Sequence, residues 1–167
     1  MKKFIIACLV IFTASIACKK EDIGGGGLCA CSPIAETTLQ LAVKNAAGQD
    51  LLDAKLSGSY TEKQIQLFQK DSNGNIKQIQ FNISPPISFD SQKFDFYQIR
   101  SSQIARLALE NATQVFYLKL GDREPLEISL SVNLDKRKVE KLVIDKKEIP
   151  AVSGGISNYL SLFAVSL

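Results

Sequence analysis

The chain has no histidine and no tryptophan among its 167 residues. Without imidazole, His-based catalytic triads and dyads are excluded, and so are most zinc and copper sites. Without indole, a glycan site loses the largest aromatic platform it could stack on. There is no Gly-x-Ser-x-Gly elbow and no phosphate-binding loop. Gly24 to Gly27 lacks both the preceding strand and the Lys-Ser/Thr partner that such a loop needs. No block of one charge sign stands out. The richest basic cluster, Lys136-Arg137-Lys138, is flanked by Asp135 and Glu140 and reads as a charged turn. A nucleic-acid partner is therefore not expected. No motif calls for a cofactor.

What is present begins at the N-terminus. Lys2 and Lys3 precede an apolar run from Phe4 to Phe12, the length of a signal-peptide core and too short to span a bilayer. Small residues follow, and Ser15-Ile16-Ala17-Cys18 sits where a cleavage site belongs. These residues resemble a bacterial lipoprotein signal. The resemblance implies that residues 1–17 are removed and that Cys18 becomes the acylated first residue. Ser15 departs from the Leu usual at that position. Lys19-Lys20-Glu21-Asp22 is similar to the export tag of Bacteroidetes-type outer-membrane surface lipoproteins. The tag implies an outer-membrane address, facing the cell surface. A periplasmic face is the alternative. Several acyl chains, at about 0.8 kcal/mol per buried CH₂, would make the membrane attachment durable.

Removing residues 1–17 takes away Lys2 and Lys3, leaving 18 basic and 17 acidic residues from the original 20 and 17. The mature chain is thus close to neutral. Of four cysteines, Cys8 leaves with the signal and Cys18 takes lipid. Cys29 and Cys31 remain, with three readings open. They form a strained Cys-x-Cys disulfide in an oxidising compartment, offer two thiols for metal or redox chemistry, or play no part. Metal sites usually need three or four ligands, so no metal is expected.

Ile23 to Leu28 contains four consecutive glycines and reads as a flexible tether. Residues 18–33 form the lipidated Cys and tether, and Pro33 marks the domain edge. Residues 34–167 form one domain, long enough to bury a core unaided. Its hydrophobic period is two. Leu39, Leu41 and Val43 alternate with Gln40, Ala42 and Lys44, as in a half-buried strand. Asn45 to Gly48 is a turn, and Leu51 and Leu52 re-enter the apolar layer. Ile65 and Leu67 form a second strand. Ile79, Phe81 and Ile83 form a third, ended by Pro85-Pro86.

Parity selects the hairpin between these two strands. A two-residue Asn73-Gly74 loop would pair core residues with surface ones. A three-residue Ser72-Asn73-Gly74 loop sets Leu67 opposite Ile79 and Ile65 opposite Phe81, and puts glycine where a left-handed residue is wanted. Phe94 to Ile99 reads as a further strand. Ser101 to Asn111 is open between helix and strand, since Ile104, Leu107 and Ala108 have helical spacing behind a Ser cap. Phe116, Leu118 and Leu120 share parity with Leu126, Ile128, Leu130, Val132 and Leu134. A Gly121 to Pro125 loop then pairs Leu118 with Ile128. Leu142 and Ile144 begin another strand, and Tyr159 to Leu167 is the last.

Seven to nine short strands with one wet face predict an all-β fold, an antiparallel β-sandwich, with a small β-barrel as the alternative. The Leu39-to-Gly74 stretch resembles Ig-like or transthyretin-like modules. Asp90, Asp95 and Glu110 are the candidates for a glycosidase-like carboxylate pair, which needs a separation of roughly 5 to 9.5 Å. Asp95 is placed at a strand's polar position. Asp71-x-Asn73-x-Asn75 mimics a calcium loop, but glycine stands fourth instead of sixth and Asn82 occupies the twelfth position, so a turn is expected. Phe94, Phe96, Tyr97, Phe116 and Tyr117 are candidates for glycan or peptide contact, against a packing role. The whole points to a non-enzymatic envelope lipoprotein that binds or assembles with a protein or glycan. A small-ligand carrier with a barrel cavity is the second reading, and a carboxylate-only hydrolase the third.

Overall fold

Alternation of apolar and polar residues builds strands, and a computed structural model shows how they are joined. It describes residues 36–89, 92–154 and 160–167. Among these, the strands are β1 (Leu39–Lys44), β2 (Ile65–Lys70), β3 (Ile76–Gln78), β4 (Asn82–Ser84), β5 (Ile87–Phe89), β6 (Gln92–Phe94) and β7 (Gln98–Ser101). The one α-helix among the described residues, α1, spans Ser102–Glu110. Then come β8 (Phe116–Leu120), β9 (Leu126–Asn133), β10 (Lys138–Ile144), β11 (Lys147–Ile149) and β12 (Ser161–Ser166).

The strands form a four-stranded sheet, β12-β1-β7-β4, and a six-stranded sheet, β11-β10-β9-β8-β2-β3. The β5–β6 hairpin stands apart from both. One hydrophobic cluster draws on both main sheets: Leu41, Ile99 and Phe163 from one, Leu67, Leu118 and Leu142 from the other. This is a β-sandwich, and none of its sheets closes into a barrel. The helix seals one part of the core with Ile104, Ala105 and Ala108 and packs on β9 and β1. Among the described residues, no helix is long and apolar enough to cross a membrane.

The first hairpin has the register that parity demanded. Lys70 pairs with Ile76 and Phe68 with Gln78, and the Ile79 N–H donates to the Leu67 carbonyl at 2.7 Å. Gly74 takes φ +80° at the third loop position. Asp71 organises the turn, its Oδ1 accepting from the Asn73 and Asn75 N–H groups at 2.9 Å each.

Elsewhere the structure corrects the pattern. The strand expected through Ile83 breaks after Gln78. The Gln80 N–H donates to the Gln103 side chain, and Gln80's carbonyl accepts from the Ser101 hydroxyl. Residues 82–84 then join the other sheet, against β7. Ile65 faces Leu120 rather than Phe81. The strand expected from Phe94 to Ile99 also breaks, so that β6 and β7 belong to different sheets. These breaks raise the strand number above the expected seven to nine.

In the second hairpin Phe116, not Leu118, pairs with Ile128, and Leu118 meets Leu126. A two-residue shift keeps every face unchanged, so alternation cannot detect it. Leu134 lies in the β9–β10 turn and is 67% exposed, outside the apolar set it was grouped with.

The largest correction concerns β1. Its partner β12 runs parallel, from Leu39↔Ser161 to Lys44↔Ser166. Gln40 and Ala42, read as a wet face, are 2% and 0% exposed. A second small core covers that face, formed by Ala42, Phe94 and Leu162. The open segment Ser102–Glu110 is a helix because Ser101 caps it, its hydroxyl accepting from the Ile104 N–H at 3.3 Å.

Candidate functional site

The most distinctive surface feature is built around a β-bulge. Between Val139 and Lys141 the β9–β10 register shifts, leaving Glu140 as the extra residue. Bulges release a backbone group from the ladder and re-aim side chains. Here the Val139 N–H donates instead to the Ser161 hydroxyl oxygen of β12, at 2.8 Å. That bond ties the end of one sheet to the start of a strand in the other. The bulge aims Glu140 at the preceding turn. Its Oε1 accepts from Lys136 Nζ and from Asn133 Nδ2, both at 2.9 Å. Asn133 Oδ1 in turn accepts from the Lys136 N–H at 2.9 Å.

The electrostatics follow from these contacts. The hydrogen bond from Lys136, then that from Asn133, holds the Glu140 carboxyl below its ordinary range. The same bond to Glu140 raises the Lys136 ammonium above its own. Both groups are in solvent, so the pair organises the turn and contributes little stability. An open depression of about 440 Å³ lies beside it, with Lys136, Lys138, Glu140 and Ser161 as polar walls and Val139 and Leu160 as apolar ones. Such a surface offers charge of both signs over an apolar floor. Within it the Ser161 oxygen accepts from the Val139 backbone.

A second groove, of about 370 Å³, runs where β11 meets the end of β12. Leu126, Ile144, Ile149 and Val165 give it apolar walls, and Asp145, Lys147 and Glu148 add charge of both signs. Its rim carries the two-residue Asp145-Lys146 turn, in which both residues have positive φ, 48° and 66°. Asp145 is anchored there, its Oδ1 accepting from the Glu127 N–H at 2.8 Å.

The sequence candidates fall as follows. Cys18, Lys19, Lys20, Glu21, Asp22, Cys29, Cys31 and Asp90 lie outside the described residues. Asp95 is exposed in the β6–β7 connection, not on a strand, and Glu110 is exposed at the end of α1. Among the described residues, no three His, Cys, Asp or Glu side chains are grouped to hold a metal. Asp71 belongs to its turn, and the side-chain bond from Asn75 is the first cause of its lowered pKa. None of the five aromatic candidates is bare. Phe94 and Phe116 are buried. Phe96 carries the Lys44 ammonium 3.6 Å from its ring centre. Tyr117 stacks on Phe68 at 5.3 Å, with Lys70 over its ring at 4.7 Å. Tyr97 is half-buried, and its N–H donates to Asp50 Oδ2 at 2.6 Å.

Several of the structurally informative polar residues are ones that alternation does not single out. Asp50 is 8% exposed and accepts from both Leu52 and Tyr97, clamping the 50–52 segment to the start of β7. Ser161, Gln40 and Gln98 are buried as well. Nothing in a single-residue pattern separates a buried glutamine from the many solvent-facing ones around it. The chain matches no protein-family model, no curated protein and no solved structure, so the depression at the bulge and the groove beside β12 stand as candidates on their geometry alone.

Proposed function

We propose that this protein is an exported, lipid-anchored component of the outer membrane, facing the cell surface, whose sandwich domain has a non-enzymatic binding or assembly role toward an envelope protein or glycan. The observation that carries the reading is Ser15-Ile16-Ala17-Cys18 behind a short apolar run, followed by Lys19-Lys20-Glu21-Asp22. The four glycines from Gly24 to Gly27 support it, since a tether of that kind lets a domain stand off a surface. Two openings on the sandwich, each lined by both charged and apolar side chains, support contact with a partner's surface. The open sheets favour this reading over that of a carrier enclosing a ligand within a barrel.

The test is made on intact cells. Labelled palmitate should enter the wild-type protein and not Cys18→Ala. Added protease should digest the domain without lysis, while a periplasmic control survives. Labelling that persists in Cys18→Ala would overturn the anchor. Protection until lysis would overturn the surface address and leave the periplasmic face.

A further inference from the structure

Asn73-Gly74 is the single Asn-Gly pair in the chain. Both residues are exposed, in the loop that joins β2 to β3. The side-chain carbon Cγ of an asparagine can be reached by the backbone nitrogen of the next residue, which closes a five-membered ring. The residue that follows decides how freely the ring closes. Glycine has no Cβ to crowd the nitrogen and leaves the backbone its widest freedom. A Cβ added at Gly74 would meet nothing within 4 Å, so the approach is open. The same loop holds its own comparison. Asn75 is exposed too, but Ile76 follows it, and a β-branched side chain crowds the nitrogen that would attack.

The turn itself stands against closure. The Gly74 N–H donates to the Asp71 carbonyl at 2.9 Å, and the Asn73 N–H donates to Asp71 Oδ1 at 2.9 Å. The Asp71 N–H donates in turn to the Asn75 carbonyl at 3.0 Å. The bond from Gly74 must break before its nitrogen can turn toward the Asn73 side chain.

We infer that Asn73 is a site of spontaneous deamidation through a succinimide, at a rate that the Asp71 turn holds down. The Gly74 nitrogen attacks Asn73 Cγ and gives its proton to a solvent base. The Cγ–Nδ2 bond breaks, and Nδ2 leaves as ammonia with a proton taken from water. Water then opens the ring. Opening at Cγ leaves aspartate in a normal backbone, and opening at the main-chain carbonyl leaves isoaspartate. Nothing is oxidised or reduced. Isoaspartate routes the backbone through Cβ and Cγ and lengthens a loop whose length sets the β2–β3 register. Either product adds a negative charge beside Asp71.

Peptide mapping by mass spectrometry tests this on the full wild-type chain, incubated at mildly alkaline pH both folded and unfolded in guanidinium chloride. In the folded chain Asn73 should convert from amide to acid about tenfold faster than Asn75, because the two differ in the residue that follows. The product should be a mixture of aspartate and isoaspartate. In the unfolded chain Asn73 should convert several-fold faster than in the folded one. Conversion at Asn73 no faster than at Asn75 would overturn the site. Aspartate without isoaspartate would overturn the ring in favour of direct hydrolysis. A folded rate equal to or above the unfolded rate would overturn the restraint by the turn.

Discussion

Ser161 links the two sheets through a single oxygen. The bulge at Glu140 frees the Val139 N–H, and the hydroxyl of Ser161, 6% exposed, is what it finds. Ser161→Ala leaves that donor buried and unpaired, with an expected loss of about 1–3 kcal/mol in urea unfolding. Ser161→Thr, which keeps the hydroxyl, should lose less. Gly74 offers a cleaner backbone test. At φ +80° with nothing within 4 Å of an added Cβ, any substitution cost there is conformational. Gly74→Val should destabilise by about 1 kcal/mol or more, and Gly74→Asn by less, because asparagine tolerates the left-handed region. Equal melting temperatures for the two would contradict this. Asp71 titrates in the same turn. Its folded pKa is lowered by its bonds to Asn75 and Asn73, so its contribution is present above the ordinary carboxylate range. That contribution is lost as the pH falls through the range and below it. Asp71→Asn should therefore flatten the acid limb of a stability-against-pH curve, leaving the neutral region less affected.

At the scale of elements, the β10–β11 turn departs from its preferred chemistry. A two-residue loop with both φ positive favours Asn-Gly, and here it is Asp145-Lys146. Asp145 gains the Glu127 backbone as compensation, whereas Lys146 shows no such bond. Lys146→Gly should raise stability by roughly 0.5–1 kcal/mol, read as a higher denaturant midpoint with an unchanged slope. The hairpins also show what alternation can and cannot determine. A one-residue slip at Ser72 to Gly74 would have turned Leu67 outward, so that register was legible. A two-residue slip at Gly121 to Pro125 leaves every face intact, so pairing Leu118 with Ile128 was indistinguishable from the observed pairing with Leu126. The breaks at Gln80 and Asp95 were hidden for another reason. Each carries a strand from one sheet to another, and the signal lies in remote partners such as Gln103 and Asp50. The same remoteness hid the candidate site, because Ser161 and Glu140 meet only after β10 has bulged.

For the whole molecule, the sandwich class followed from period-two patterning, while its closure depended on two distant segments. Leu39 and Ser161 are partners across nearly the full described chain. Phe163 fills the core from β12 with no exposed surface. Phe163→Ala should cost about 3–5 kcal/mol, enough to unfold a marginal domain, and calorimetry would show a strongly lowered or absent transition.

The parallel pairing of β1 with β12 also has a mechanical meaning. Leu39 begins one strand and Ser166 ends the other, at opposite ends of the same six-residue ladder. Tension drawn between the chain before Leu39 and the chain after Ser166 would slide these strands lengthwise past each other. Every rung would bear the load together, instead of parting one at a time as in a peeled hairpin. The seam is therefore strongest along the line in which a domain tethered before β1 and held by its far end would be pulled.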